Sequence, residues 1–265
     1  MKVVFFDQDV NKDFGYCLDE LKPLRQRGTV DSHDLSEYTG EDDMVKKLKD
    51  ADIIVVGVSK LPAKVLERLP KVRFIQFLGV GASNFIDMAT CMRMNIPVGT
   101  ATDYGSNSVA EFAVSTAMAL AKRLPAADRR VKEGQWDITG LLGSEIGASI
   151  FGVVGTGRIG SMVVRKAHAL GATTLAYDIR PNEALRLECG TRFCSLDELF
   201  STCDFVSLHL TLTDLTRGII GANLLGLMKP SSFLVNTSRA ETVDYEALYG
   251  LLKDGKIAGA ALDVF

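Results

Sequence analysis

"FGVVGTGRIG", residues 151–160, is the stretch that decides the fold. An apolar run from Phe151 to Val154 leads directly into Gly155, Gly157 and Gly160, and a helical pattern follows at once. In that setting G-x-G-x-x-G reads as strand, tight turn and helix start. The first glycine permits the turn, the second lets backbone approach a diphosphate, and the third lets the helix pack on the strand. The unpaired N–H groups of the helix's first turn then face the phosphates. A glycine-rich turn alone has many structural uses, so its neighbours must decide.

Downstream, short apolar runs continue: "TTLAYD", a piece near Phe193, "CDFVSLHL", "SFLVNTS" and "IAGAALDVF", separated by helical stretches such as Ile159–Leu170 and Asp244–Lys253. With "SIFGVVG" these make six strands of a doubly wound sheet. Upstream, "VVFF" at 3–6, "ADIIVVGV" at 51–58, "RFIQFLGVG" at 73–81 and "IPVG" at 96–99 alternate with helical patterns. Continuous apolar runs separated by polar helix-length segments indicate strands buried on both faces, hence a parallel sheet. The fold class is therefore α/β with two doubly wound parallel-sheet lobes. The expected division is a first lobe over 1–100, a linking helix over 101–124 limited by Pro125, and a second lobe over 125–265. Val109, Phe112, Ala113, Thr116, Ala117 and Leu120 repeat at helical spacing on that linker. After it, "DRRVKEGQWDITGLLGSEIG" reads as a polar arm, with Trp136 either a local core plug or an anchor on a partner subunit.

At 265 residues and 47% hydrophobic content the chain can fill two cores. Its 30 basic side chains nearly balance 33 acidic ones, and no basic stripe suits a nucleic-acid backbone. No apolar run reaches the roughly 20 residues of a membrane span. Asp7 and Asp9 interrupt the N-terminal run too early for a secretory signal, so the reading is cytoplasmic. Cys17, Cys91, Cys189, Cys194 and Cys203 are scattered without metal spacing, which favours reduced thiols filling core positions.

Three further positions could carry chemistry. Asp178 ends the next strand, 18 residues beyond Gly160, where a carboxylate can accept from an adenosine ribose and repel a 2′-phosphate. That favours NAD over NADP, with Arg180 nearby able to soften the preference. Arg239 leaves the carboxyl end of "FLV" within "NTSRA", so it faces the crevice of an open sheet. It could grip a carboxylate or polarise a carbonyl, or be a surface arginine paired with Glu241 or Asp244. His209 stands at another strand end, but the sequence supplies no carboxylate to tune it as a base, which favours a structural or cofactor-lining role. His33 and His168 read as solvated.

Taken together, "GVGASNFID", "SVAEFA", "GVVGTGRIG", "YD", "VSLHLTLTDLTRGIIG", "MKPSSFLVNTSRAETVDYEAL" and "GKIAGAALDVF" resemble, in order and over nearly the whole chain, the D-isomer-specific 2-hydroxyacid dehydrogenases. The resemblance implies a flavodoxin-like substrate lobe, a Rossmann NAD-binding lobe, and hydride transfer between the cofactor and C2 of a small 2-hydroxy or 2-oxo acid. It implies that Val80 and Gly81 offer N–H groups to the substrate carboxylate and that Arg239 binds carboxylate and carbonyl oxygen. Gly155, Thr156, Gly157, Arg158, Ile159 and Gly160 would line the pyrophosphate and Asp178 the ribose. His209, Thr211 and Thr216 would form the cofactor's walls, with Thr237 and Asp263 beside the nicotinamide. Family members pair through their cofactor domains, which implies a homodimer and the anchor reading of Trp136.

The chain departs from the family pattern at three places. Thr211 replaces a usual proline and Ala240 a usual glycine. The family's catalytic glutamate and histidine fall beyond "DVF", so the expectation is a C-terminally truncated chain that binds NAD but transfers hydride poorly. The same comparison leads one to expect a bare apolar face on the first lobe. The alternative from another class is a non-catalytic, NAD(H)-responsive binding protein of the corepressor kind built on this fold.

Overall fold

A computed structural model describes residues 1–8, 19–34, 40–79, 81–101 and 104–265. Val80 and Cys17, among the positions singled out above, lie outside the described residues. The chain divides into two compact units, Met1–Tyr104 and Gly105–Phe265.

The first unit is built on a parallel sheet of β1 (Lys2–Phe5), β2 (Thr29–Ser32), β3 (Ile53–Val56), β4 (Phe74–Phe77) and β5 (Val98–Thr100), in the order β2-β1-β3-β4-β5. That is the flavodoxin-like order, whose winding reverses between β1 and β3. The helices α1 (Lys22–Arg25), α2 (Glu41–Leu48), α3 (Ala63–Leu66) and α4 (Met88–Arg93) connect its strands. The start of α4 is fixed by Asp87, whose side chain accepts the Thr90 N–H at 2.8 Å and so satisfies one of the helix's orphan donors. Alternating strand residues such as Val4, Ile54, Val56, Ile75 and Phe77 fill one core. The other face is not bare, contrary to the sequence expectation. Val3, Phe5 and Val55 are buried there, with Leu21 just ahead of α1 and Leu78 just past β4 packed against them.

The second unit carries six parallel strands: β6 (Ile150–Val154), β7 (Thr173–Tyr177), β8 (Arg192–Phe193), β9 (Phe205–Leu208), β10 (Phe233–Asn236) and β11 (Gly259–Leu262). Their order is β11-β10-β9-β6-β7-β8, the Rossmann arrangement, with its switch point between β6 and β9. The helices are α5 (Ser106–Ala121), α6 (Leu124–Lys132), α7 (Arg158–Ala169), α8 (Glu183–Cys189), α9 (Leu196–Thr202), α10 (Ala222–Leu225) and α11 (Tyr245–Lys253). Register aligns Phe151 with Phe205 and Phe205 with Phe233 across three strands. Their rings stack with centroids 5.6 and 5.3 Å apart. Such pairs add roughly 0.5–1.5 kcal/mol each beyond burial, which helps lock the strand order around the switch point.

Three local readings change. By its packing on α7, β10 and β11, the helix expected to link the lobes belongs to the second unit. Its buried face is Ala110, Ala113, Val114, Ala117 and Ala121, offset from the expected one, and Phe112 is exposed. Small residues on that face let α5 approach α7 closely. Pro125 does more than stop a helix: it sits in the first turn of α6, where its missing N–H costs nothing. Part of the expected polar arm is therefore helical. Among the described cysteines, Cys91, Cys189 and Cys203 are buried free thiols and Cys194 is half-buried. His33 is half-buried, its N–H bonded to the Phe5 carbonyl, while His168 is exposed as read.

Candidate functional site

The three glycines of the β6–α7 turn answer to different demands. Gly155 has φ +90°, and a Cβ there would lie 2.7 Å from the His209 carbonyl oxygen across the switch point. At Gly160 a Cβ would lie 1.9 Å from the Gly155 carbonyl oxygen, so helix and strand meet backbone to backbone. Gly157 is different. It is exposed, its φ is −63°, and a Cβ would meet nothing within 4 Å. No described protein atom requires glycine at 157, so the space above it fits a group that the described residues do not provide. That space lies at the N-terminus of the 12-residue α7, where N–H groups and the helix dipole favour an anion. Arg158 is exposed there and Ile159 packs against the core.

Asp178 closes the other side of the turn. One carboxylate oxygen accepts the Thr156 N–H at 2.6 Å and its hydroxyl at 3.0 Å, and the other accepts the Arg180 N–H at 2.8 Å. Of the roughly four lone-pair sites of a carboxylate, the one left open lies on Oδ1, which accepts only the Arg180 N–H. A cleft of about 420 Å³ runs from Gly155 and Gly157 past Asp178 to His209, Thr211 and Thr216. Its apolar lining comes from Tyr177, Ile179, Leu215 and Ile219. Ile179 and Leu215 are 83% and 89% exposed, unusual for branched aliphatics and suited to the faces of a planar ring.

The far wall of the cleft is the segment after β9. The Thr216 hydroxyl donates to the Thr211 carbonyl at 2.6 Å and accepts the Thr213 N–H at 2.8 Å, so it shapes the loop. Thr211 is exposed where it lines the cleft. His209 has both ring nitrogens engaged with hydroxyls, Nε2 with Ser207 at 2.8 Å and Nδ1 with Thr237 at 3.4 Å. Burial pushes its pKa down from 6.5 to about 3, so the ring is neutral near neutral pH, and among the described residues it has no carboxylate partner to make it a base.

This has a measurable consequence for stability. Between pH 6.5 and about 3 the unfolded chain binds a proton at His209 that the folded chain refuses. Stability must therefore fall as pH is lowered through that window. In thermal melts His209→Gln is expected to show a shallower fall between pH 6.5 and 4 than the wild type. Equal slopes would mean that another group dominates.

Arg239 and its loop follow β10. Asn236, fully buried, accepts the Ser238 N–H at 3.0 Å and hydroxyl at 2.8 Å, and donates to the Arg239 carbonyl at 3.1 Å. The Thr242 hydroxyl donates to that same carbonyl at 2.7 Å. Arg239 is half-buried, and its Nη1 donates to the Ser238 carbonyl at 2.7 Å. It forms no ion pair among the described residues. Asp244 caps α11 through the Ala247 N–H, so the bland pairing with Glu241 or Asp244 is not made. Ala240 has no positive φ, so the usual glycine is not required there. Thr237 is buried against His209, and Asp263 is exposed with its N–H on the Asn236 carbonyl at 3.0 Å.

The second unit thus gathers Gly155–Gly160, Asp178, His209, Thr211 and Thr216 around one cleft, with Thr237, Arg239 and Asp263 following from β10 and β11 of the same sheet. Gly81 belongs to the first unit, at φ +93° just beyond β4, where it opens a 3₁₀ turn over Ala82–Asn84. Sequence reasoning missed Ile179, Leu215 and Ile219 as lining residues. Aliphatics in otherwise polar strand-end loops were the available signal. It also missed Asn236 as the hub of the Arg239 loop.

An open parallel sheet whose switch point carries this glycine turn and acidic strand end defines a dinucleotide-binding α/β unit. Residues 114–265 match the model of the D-isomer specific 2-hydroxyacid dehydrogenase, NAD binding domain. The chain is 36% identical over 249 residues to a D-3-phosphoglycerate dehydrogenase of Methanocaldococcus jannaschii, covering 93% of this chain but 47% of that protein. It is 39% identical to a glyoxylate reductase of Korarchaeum cryptofilum, over 84% of this chain and 68% of that one. A D-lactate dehydrogenase from Aquifex aeolicus, solved with NAD and lactic acid, superposes with a TM-score of 0.84 at 31% identity, covering all of this chain and 77% of that one. The chain belongs to the D-isomer-specific 2-hydroxyacid dehydrogenase family, and its second unit is that family's NAD-binding domain.

Proposed function

We propose that this chain takes part in NAD-linked interconversion of a small D-2-hydroxy acid and its 2-oxo acid. The observation that carries the reading is Arg239: a half-buried cation without a carboxylate partner among the described residues, at the same end of the sheet as the dinucleotide turn. Its planar donors suit a carboxylate or a carbonyl oxygen on which negative charge develops. The bound nicotinamide supplies or accepts the hydride at substrate C2.

The chain's own residues divide the remaining work. N–H groups of Gly157 to Ile159 hold the diphosphate, and the exposed Ile179 and Leu215 flank the adenine. Asp178 accepts from the ribose, and its charge disfavours a 2′-phosphate, which selects NAD over NADP. Neutral His209, fixed by Ser207 and Thr237, forms the wall without moving a proton. Thr237 and Asp263 stand beside the nicotinamide. The family pattern assigns Val80 and Gly81 of the first unit, the substrate lobe in this reading, to the substrate carboxylate. A second copy of the chain is the partner assigned to the arm after α6, where Trp136, Ile138 and Leu142 are all more than four-fifths exposed. No described helix is long and apolar enough to cross a membrane.

Calorimetry with NADH and NADPH, followed by absorbance assays with glyoxylate, hydroxypyruvate and pyruvate, tests the reading. The expected results are tighter binding of NADH than of NADPH and loss of reduced nicotinamide with at least one acid. No heat from either nucleotide would overturn the assignment. Binding without turnover of any of the acids would favour the non-catalytic alternative.

A further inference from the structure

We propose that Tyr245 is a positioning residue whose hydroxyl locks the Arg239 loop to the backbone that carries Asp263. The inference rests on the reading of Arg239 as the substrate cation. The Tyr245 hydroxyl accepts from Asn236 Nδ2 at 3.4 Å and donates to the Val264 carbonyl at 2.8 Å. The same Asn236 amide group donates to the Arg239 carbonyl, and the Asn236 backbone carbonyl accepts the Asp263 N–H. Loop, strand end and helix α11 therefore meet at one phenol.

Packing alone does not call for that hydroxyl. The ring is half-buried against the apolar cluster that includes Ile220, Val243 and Leu248, and a phenylalanine ring would fill the same place. What the oxygen adds is a tie across 19 residues of sequence, from the first turn of α11 to the segment beyond β11. Without it the Val264 carbonyl loses its donor and Asn236 loses one of its two amide acceptors. Among the described residues, the Arg239 loop and the Asp263 segment would then be hydrogen-bonded through the Asn236 backbone alone. Because a guanidinium fork works only when both donors reach their acceptors together, a small loss of alignment weakens anion binding more than cofactor binding.

Tyr245→Phe tests this, with NADH fluorescence as the cofactor readout and oxamate, a non-reducible 2-oxo-acid analogue, titrated into the NADH complex. The expected result is an NADH Kd within about twofold of wild type and an oxamate Kd about five- to tenfold weaker, the scale of one lost hydrogen bond. Amide exchange over residues 263–265 should rise by a similar factor, while the thermal midpoint moves little. Unchanged oxamate affinity and exchange in Tyr245→Phe would overturn the proposal, as would equal weakening of NADH and oxamate, which marks a merely structural hydroxyl. If the wild-type chain binds NADH but not oxamate, Arg239 is not the substrate cation and the proposal falls with it. If the wild type binds no NADH, the functional reading itself fails.

Discussion

Gly160→Ala is expected to abolish NADH binding and to destabilise the second unit severely. The added methyl would stand 1.9 Å from the Gly155 carbonyl oxygen and 3.3 Å from Val153 Cγ1. Neither neighbour can yield. The carbonyl belongs to a residue already pressed against the His209 backbone, and Val153 is fully buried in the central strand. α7 would have to lift from β6, drawing Val163, Val164 and Ala167 out of their core. Overpacking of this kind costs about 3 kcal/mol, the upper end of its usual range, because backbone rather than a side-chain tip is struck. Calorimetric titration and urea melts are the measurements. Gly157→Ala is the control: its methyl meets no protein atom, so the melt should be unchanged while NADH affinity falls. If Gly160→Ala melts and binds NADH like the wild type, the close packing described here is not what that glycine serves.

Arg239→Lys is expected to lower kcat/KM for 2-oxo-acid reduction by roughly 10²- to 10³-fold, the loss seen when a donor to a developing oxyanion is removed. Lysine keeps the charge but not the planar fork, and its rotatable ammonium cannot reproduce two parallel donors. The loop around it should survive, because its ties run through the Arg239 carbonyl rather than through the side chain. NADH affinity should therefore hold while turnover falls. Steady-state kinetics beside an NADH titration separates the two, and a lysine variant that keeps its kcat/KM would remove Arg239 from the chemistry.

How far these features could be read from sequence depends on the distance over which each is determined. At the sheet edges β8 and β11 are only partly buried, but the inner strands β6, β7, β9 and β10 were legible because they are largely buried on both faces and so written as apolar runs. β2, "TVDS", was not, since it pairs only with β1 at the edge of its sheet and needs no such run. α8 escaped for a similar reason, at seven residues with only Leu185 and Cys189 buried. The buried face of α5 was misjudged because alanines rather than the larger Phe112 face α7. The glycine turn and Asp178 were legible because a motif fixes them within a few residues. The Asn236–Tyr245–Val264 connection was not, because it links positions nine and 19 residues apart that share no periodicity.

One carboxylate in the first unit bears on what the molecule can hold. Asp7, buried just past β1, accepts the N–H groups of Gly57, Val58 and Ser59 at 2.8, 2.7 and 2.5 Å, just past β3. That is the gap where the winding of the first sheet reverses, the place where a flavodoxin-like sheet would otherwise seat a phosphate. Here the protein has furnished its own anion and sealed the berth. Among the described residues, the first sheet's switch point is thus filled by one of the chain's own carboxylates, whereas the second sheet's opens onto a helix N-terminus. On the neighbouring rim, just beyond β4, Gly81 turns the backbone at φ +93° into the 3₁₀ turn of Ala82–Asn84.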